Sequence, residues 1–268
     1  MLIAAMQAEA AVLDYDANLN AIDAAANHAA QRGARLLLTP ELFVVGYAPF
    51  ALRESFVPAV LDELRARLSG IAQHRGIALV YSMPDVVNGE WKITATFIDE
   101  QGLERAHYQK VHLFGDEEQE VFVPGTNAPA VFDYQGTTLG LAICFDVEYP
   151  ELVREAARRG VEALLIPTAV GQGYEILSTA LVPTRAMESQ LYIAYANHTG
   201  TENGFQLSGT SVIAAPDGRI LAQGGTDAEI IFADVEQDRL AQVREEVPYL
   251  REAKTELYAQ WAAQRSGN

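Results

Sequence analysis

The chain has 268 residues, 49% of them apolar, and a formal net charge of −17. A chain of this size buries roughly 70–75% of its unfolded surface, and no Pro/Gly/Ser-rich linker, charge block or composition shift divides it, so one domain over residues 1–268 is expected. The acidic balance excludes the nucleic-acid binders, which need a basic footprint, and sets anionic membrane surfaces aside as partners. Cys144 is the lone cysteine, so there is no internal disulfide framework. The apolar start, Met1 to Met6, is too short for a signal peptide and lacks a basic flank, and no apolar run approaches a bilayer span. A cytoplasmic location is the expectation.

Strand-like and helix-like segments alternate from the start. Leu2–Gln7 reads as a strand; Asp16 offers an N-cap to a helix in which Leu19, Ile22, Ala26 and Ala29 recur at helical spacing up to Gly33. Leu36 to Thr39 fits a buried strand, closed by Pro40 and followed directly by Glu41. Pro58 opens a second helix with Leu61, Leu64, Leu68 and Ile71 on one stripe, ending before Gly76. Ile77–Tyr81 is strand-like, Asn88-Gly89 is a strong hairpin signal, and Trp91–Ile98 reads as the returning strand. Leu103–Tyr108 is a further strand, with Lys110 at its end. Thr137–Ile143 is a buried strand ending on Cys144, and Pro150 starts a helix to Arg159. Ala163–Ile166 is a strand, Tyr174 to Ser189 a helix and Leu191–Asn197 a strand. Gly209–Ala214, two more strands to Asp234 and a polar helix-like tail complete the chain. Helical crossovers together with hairpins predict an α/β fold of mixed sheets covered by helices.

Glu41, Lys110 and Cys144 all fall at ends of predicted strands, where sites collect in α/β sheets. A cysteine between a strand and a helix N-terminus, near an ammonium, is placed for thiolate formation. Taken singly, each residue has a plainer role: an inert core cysteine, a capping carboxylate, a solvated surface charge.

The neighbouring residues carry a resemblance. Thr39 to Tyr47 (Thr-Pro-Glu-Leu-Phe-Val-Val-Gly-Tyr) resembles the first motif of the nitrilase, or carbon–nitrogen hydrolase, superfamily. Lys110 to Glu118 (Lys-Val-His-Leu-Phe-Gly-Asp-Glu-Glu), with Phe122-Val-Pro-Gly125 downstream, resembles its lysine motif. Cys144 to Glu151 (Cys-Phe-Asp-Val-Glu-Tyr-Pro-Glu) resembles its nucleophile motif, and Leu165 to Ala169 its following strand. Arg185 to Glu188, Tyr195 to Asn197 and Ala215 to Gly218 also match in order and spacing, so nearly the whole chain is covered. Among the branches, the aliphatic amidases look most similar.

The resemblance implies an α-β-β-α sandwich, dimers that extend it, and no cofactor or metal. It implies that Cys144 attacks the amide carbon of a small-molecule substrate while Glu41 takes and returns the proton, with a carboxyl pKa nearer neutrality than usual. Lys110 and the N–H of Phe145 would stabilise the oxyanion, and Glu118 would orient the lysine and the substrate amide. Phe114 and Val170 fall where pocket-lining side chains are expected; ordinary core packing is the competing reading.

Two alternatives remain: a nitrilase attacking a C≡N carbon, and a non-enzymatic interaction protein on the same fold. The end at Asn268 and the motif spacings favour the amidase over the nitrilase. His198, at a strand end, is the rival base of a papain-like dyad, although a structural histidine is the plainer reading. Gly-x-Ser-x-Gly, His-Glu-x-x-His and Cys-x-x-Cys motifs are missing, and Gly171-Gln-Gly173 lacks the third glycine of a dinucleotide loop, with Ile176 in its place.

Overall fold

The short apolar runs cannot be solvated on either face, and in the computed structural model, which describes residues 1–265, they form the inner strands of two stacked sheets. In chain order the first part runs β1 (Leu2–Gln7), α1 (Tyr15–Gln31), β2 (Leu36–Leu38), α2 (Pro49–Ser55), α3 (Leu61–Arg75), β3 (Ala78–Val87), β4 (Glu90–Ile98), β5 (Glu104–Gln109) and α4 (Gly115–Val121). The middle runs β6 (Ala130–Tyr134), β7 (Thr137–Leu141), α5 (Pro150–Arg158), β8 (Ala163–Pro167), α6 (Val182–Ser189) and β9 (Tyr192–Ala196). Then follow the hairpin β10 (Thr199–Glu202) and β11 (Phe205–Ser208), and the strands β12 (Val212–Ala214), β13 (Ile220–Gln223) and β14 (Glu229–Asp234). The helices α7 (Gln237–Glu246), α8 (Tyr249–Glu252) and α9 (Thr255–Arg265) end the described chain; residues 266–268 of the expected domain lie outside it.

One six-stranded sheet has the order β14-β1-β2-β3-β4-β5, the other β13-β12-β9-β8-β7-β6. The centre of each is parallel, β1-β2-β3 and β7-β8-β9, with antiparallel hairpins outside. β1 packs against β9, and β2 and β3 against β8, so the sheets stack face to face. α1 and α3 cover the first sheet, and α5 and α6 pack together on the second. This is the α-β-β-α sandwich. Ile3, Leu36, Leu37, Leu38, Leu79, Leu164 and Ile193 lie wholly buried in one continuous core. Among the described residues no helix is long and apolar enough to cross a membrane.

The Asn88-Gly89 hairpin forms as expected, both residues taking the positive φ (55° and 81°) that such a turn requires. Some local details differ. Asp14, not Asp16, caps α1, its Oδ1 accepting from the Ala17 N–H at 3.0 Å. The helix expected from Tyr174 is a π-helical turn, Leu177–Leu181, running into α6. The periodicity pointed to none of α2, α4, β6 or the β10–β11 hairpin. α4 has seven residues, mostly acidic, with only Glu118 buried, so it presents no apolar stripe.

Candidate active site

Glu41 and Cys144 leave different sheets and meet where the strand ends of the two sheets adjoin. After β2 the backbone crosses between them: Thr39 N–H donates to the Val80 carbonyl and Glu41 N–H to the Thr168 carbonyl, at 2.9 and 3.2 Å. Lys110 follows β5, with its N–H bonded to the Ile93 carbonyl and its own carbonyl accepting from Gly125 N–H at 2.7 Å. A Cβ at Gly125 would stand 2.5 Å from the Gln109 carbonyl oxygen, so only glycine allows this return of the chain. The loop between these two anchors carries α4, and with it Glu118, over the lysine.

The Lys110 ammonium is fully enclosed between two carboxylates. Its Nζ lies 2.7 Å from Glu41 Oε1 and 2.8 Å from both oxygens of Glu118. Tyr47 Oη donates to Glu118 Oε1 at 2.7 Å, and Phe114 N–H donates to Glu118 Oε2 at 2.9 Å. Glu118 is therefore saturated. Glu41 is not: its Oε2 is buried and has no hydrogen bond among the described residues.

The charges set the protonation states. Burial raises the Glu41 pKa to about 7; Lys110 opposes this, and the Glu118 charge adds to it. Burial alone would lower the Lys110 pKa, but the charges of Glu118 and Glu41 outweigh it and hold the ammonium protonated. Burial, then the Glu41 charge, pushes the Cys144 thiol well above its ordinary value, against the pull of Lys110.

The help toward thiolate expected from a helix N-terminus and an ammonium is largely absent. β7 ends at Leu141, Cys144 opens a short 3-10 turn (Cys144–Glu148), and α5 begins only at Pro150, so no long helix points its N-terminus at the sulfur. The nearby ammonium is already neutralised by two carboxylates. Burial and the Glu41 charge favour the thiol form.

Cys144 sits at φ +45°, a strained conformation for a residue with a side chain. Asp146 holds the turn in place. Its Oδ2 accepts from Ile143 N–H at 3.1 Å and from Tyr108 Oη at 2.9 Å, and its Oδ1 accepts from His112 N–H at 2.9 Å. His112 stacks on Tyr149 with ring centroids 3.7 Å apart, and Phe145 meets Tyr149 and Phe114 edge-on.

His198 is excluded as the base by its partners. Nδ1 lies 2.6 Å from Glu202 Oε1, and Nε2 lies 2.6 Å from the Glu41 carbonyl oxygen. A carbonyl and a carboxylate only accept, so both ring nitrogens carry protons and neither can take another. Burial lowers the His198 pKa, but the Glu202 charge together with the hydrogen bonds to Glu202 and to the Glu41 carbonyl raises it above its ordinary value. Glu202 also accepts from the N–H groups of Ala10 and Tyr47, at 2.9 and 2.8 Å.

An opening of about 160 Å³ is lined among others by Tyr47, Pro49, Phe114, Asp116, Glu117 and Phe205, and adjoins the cluster through Tyr47 and Phe114, both bonded to Glu118. Phe114 borders this opening. Val170 is not among its lining residues and packs in the core, its N–H donating to Asn197 Oδ1 at 2.8 Å.

The family model described as carbon-nitrogen hydrolase matches residues 2–245. The chain belongs to the carbon–nitrogen hydrolases. A hydrolase of Pseudomonas protegens is 34% identical over 260 residues, 96% of this chain and 90% of that protein. The omega-amidase of Xenopus tropicalis is 29% identical, over 90% of this chain and 91% of its own length. Among solved structures, a mutant of the amidase from Nesterenkonia sp. AN1 with butyramide superposes at TM-score 0.90 and 42% identity, covering 97% of both chains. Another mutant of that amidase shows covalent addition of the acetamide moiety of fluoroacetamide at its active-site cysteine.

Within this carbon–nitrogen hydrolase, Tyr47, Asp146 and Glu202 support the site without having been singled out in the sequence. Tyr47 and Asp146 lie inside the motifs around Glu41 and Cys144, which was a usable signal. Glu202 sits in a hairpin with no motif of its own and is tied to Ala10 and Tyr47 from distant parts of the chain.

Proposed function

We propose that Cys144, Glu41 and Lys110, with Glu118 behind them, hydrolyse small aliphatic amides to a carboxylic acid and ammonia, in a chain that works as one catalytic domain. The reaction class is amide hydrolysis through a cysteine-bound intermediate. The observation that carries the assignment is the unbonded Oε2 of a buried Glu41 whose pKa is raised to about 7, beside a thiol that rests protonated.

Glu41 takes the Cys144 proton as the S–C bond forms, and the carbonyl oxygen becomes an oxyanion facing Lys110 and the Phe145 N–H. The C–N bond breaks, Glu41 hands its proton to the departing nitrogen, and ammonia leaves. The same carboxylate then takes a proton from water, which attacks the thioester and frees the acid and the thiol. Glu118 holds Lys110 in line with its two charged bonds, so the ammonium stays fixed when Glu41 protonates. The butyramide complex and the acetamide adduct of the Nesterenkonia amidase support small aliphatic amides as the substrate class.

The enzyme is proposed to act as a cytoplasmic homodimer. Tyr249, Leu257, Tyr258 and Trp261 are exposed on the terminal helices α8 and α9 beside a cleft lined by Arg154 and Arg158 of α5, an apolar surface suited to a second copy.

Ammonia release from propionamide and butyramide, against propionitrile and butyronitrile under matched conditions, tests the reading. Amides should turn over far faster, and Cys144→Ala should abolish turnover while keeping the melting temperature. Faster release from the nitriles would make this a nitrilase with the same site. No release from any of them would favour a binding protein.

A further inference from the structure

We infer that this site selects its substrates by charge, accepting neutral or cationic short amides and turning away amides whose far end carries a carboxylate. The inference rests on the amidase reading and adds to it the electrostatic class of the acyl group.

Among the described residues that line the opening, none is Lys, Arg or His. Its apolar wall is Tyr47, Pro49, Phe114 and Phe205; its charged side chains are Asp116 and Glu117, both exposed, with Glu202 buried behind them. Phe205 packs closely over Gly171, where a Cβ would lie 2.6 Å from its ring, so the aromatic wall stands close to the backbone leading out of β8.

The cations described around the site are engaged, His198 with Glu202 among them. Lys110 is held between Glu41 and Glu118. Arg53 on α2 pairs with Glu120 at 2.8 Å and lies over the Phe50 ring. His112 is bonded to Asp146, and Arg185 gives its guanidinium to the carbonyls of Val147 and Glu148 and to Glu188.

A carboxylate entering here would lose its water without gaining a donor of opposite charge. It would also face Asp116 and Glu117 within a molecule of net charge −17. A neutral chain of the same size meets only the aromatic wall, and an ω-ammonium meets the two carboxylates.

Succinamide and succinamate test this, being matched in size and differing by one charge. Hydrolysis of one end of succinamide yields succinamate, so ammonia release from succinamide should stall after one equivalent. The ratio of kcat/KM for the pair should favour succinamide by about tenfold or more. 4-Aminobutyramide should be turned over at least as well as its neutral isostere, pentanamide. Molar sodium chloride, with a Debye length of about 3 Å, should narrow the succinamide-to-succinamate ratio, because the discriminating carboxylates are exposed. The Asp116→Asn, Glu117→Gln double variant should narrow it as well, by raising succinamate turnover. Release of a second equivalent at a comparable rate would overturn the inference. A ratio unmoved by both salt and the double variant would overturn its electrostatic basis. Failure to hydrolyse succinamide and butyramide alike would instead be failure of the amidase reading beneath it.

Discussion

Glu41, Lys110 and Glu118 form one buried charged cluster, and His198 with Glu202 forms another, joined to the first through the bond from His198 Nε2 to the Glu41 carbonyl. The second cluster is balanced and saturated. One imidazolium faces one carboxylate, both ring nitrogens are bonded, and Glu202 takes two backbone N–H groups besides. Its opposite charges hold each other ionised: the His198 pKa is raised and the Glu202 pKa lowered, each against the effect of burial. The first cluster has two carboxylates for one ammonium. Glu118 takes the larger share of Lys110 together with Tyr47 and Phe114, and Glu41 is left with one bond and a free oxygen. The unequal sharing makes Glu41 a carboxylate that can accept a proton near neutral pH. Saturation makes structure, and a missing partner makes chemistry.

The most direct way to break this comparison is to exchange the two roles. Glu41→Gln should lower kcat by about 10²–10⁴, the range for a positioned acid–base group, because in the proposed mechanism one carboxylate serves both acylation and deacylation. A Glu41→Gln enzyme that still turned over well, with His198→Ala catalytically dead but folded, would move the base to His198.

His198→Ala should instead act on the fold. It strands Glu202 in the interior, and breaking a buried pair from one side costs about 3–5 kcal/mol, readable as a lower urea midpoint. The pH dependence of that loss sharpens the point. Glu202, with its pKa lowered, stabilises above the ordinary 4.5 and loses that contribution as pH falls through its folded value. His198, with its pKa raised, stabilises fully below 6.5 and loses that contribution as pH rises through its folded value. Wild type and His198→Ala should therefore differ most between those two limits. Equal stability across the range would show that the pair carries no structural load.

A smaller but specific effect is expected in the pH profile of kcat/KM. In the proposed mechanism the active form carries Glu41 ionised, so activity should fall as pH drops through about 7 rather than through the ordinary 4.5. An acid limb near pH 4.5 would mean that Glu41 is better solvated than its enclosure indicates.

The smallest effect concerns the surface rather than either cluster. With a net charge of −17, added sodium chloride screens self-repulsion, so melting temperature should hold or rise from low to molar salt. A steady fall would contradict this.

Much of the site was legible because its residues follow strand ends inside long local motifs. Thr39 to Tyr47, Lys110 to Glu118 and Cys144 to Glu151 each contain a site residue and its nearest support. The thiol's protonation state was not legible in the same way. A helix N-terminus and a nearby lysine looked favourable to thiolate, but the helix starts six residues too late and Glu118 and Glu41 consume the lysine's charge. Phe114 and Val170 looked alike as pocket candidates, and only packing separates a ring at the opening from a side chain in the core.

By itself, the sequence determined the alternation of strands and helices through periodicity, and, through short motifs that resemble a known family, the fold class, the family and Glu41, Lys110 and Cys144 as candidates. The tertiary structure alone decided which carboxylate is saturated and which is free, that His198 is an imidazolium rather than a base, and that acidic rather than basic side chains border the opening. Those properties depend on partners brought together from opposite ends of the chain, as Ala10, Tyr47 and His198 are around Glu202, and on how completely water is excluded there. Burial and hydrogen-bond completeness are properties of a packed volume, and no local stretch of residues encodes them.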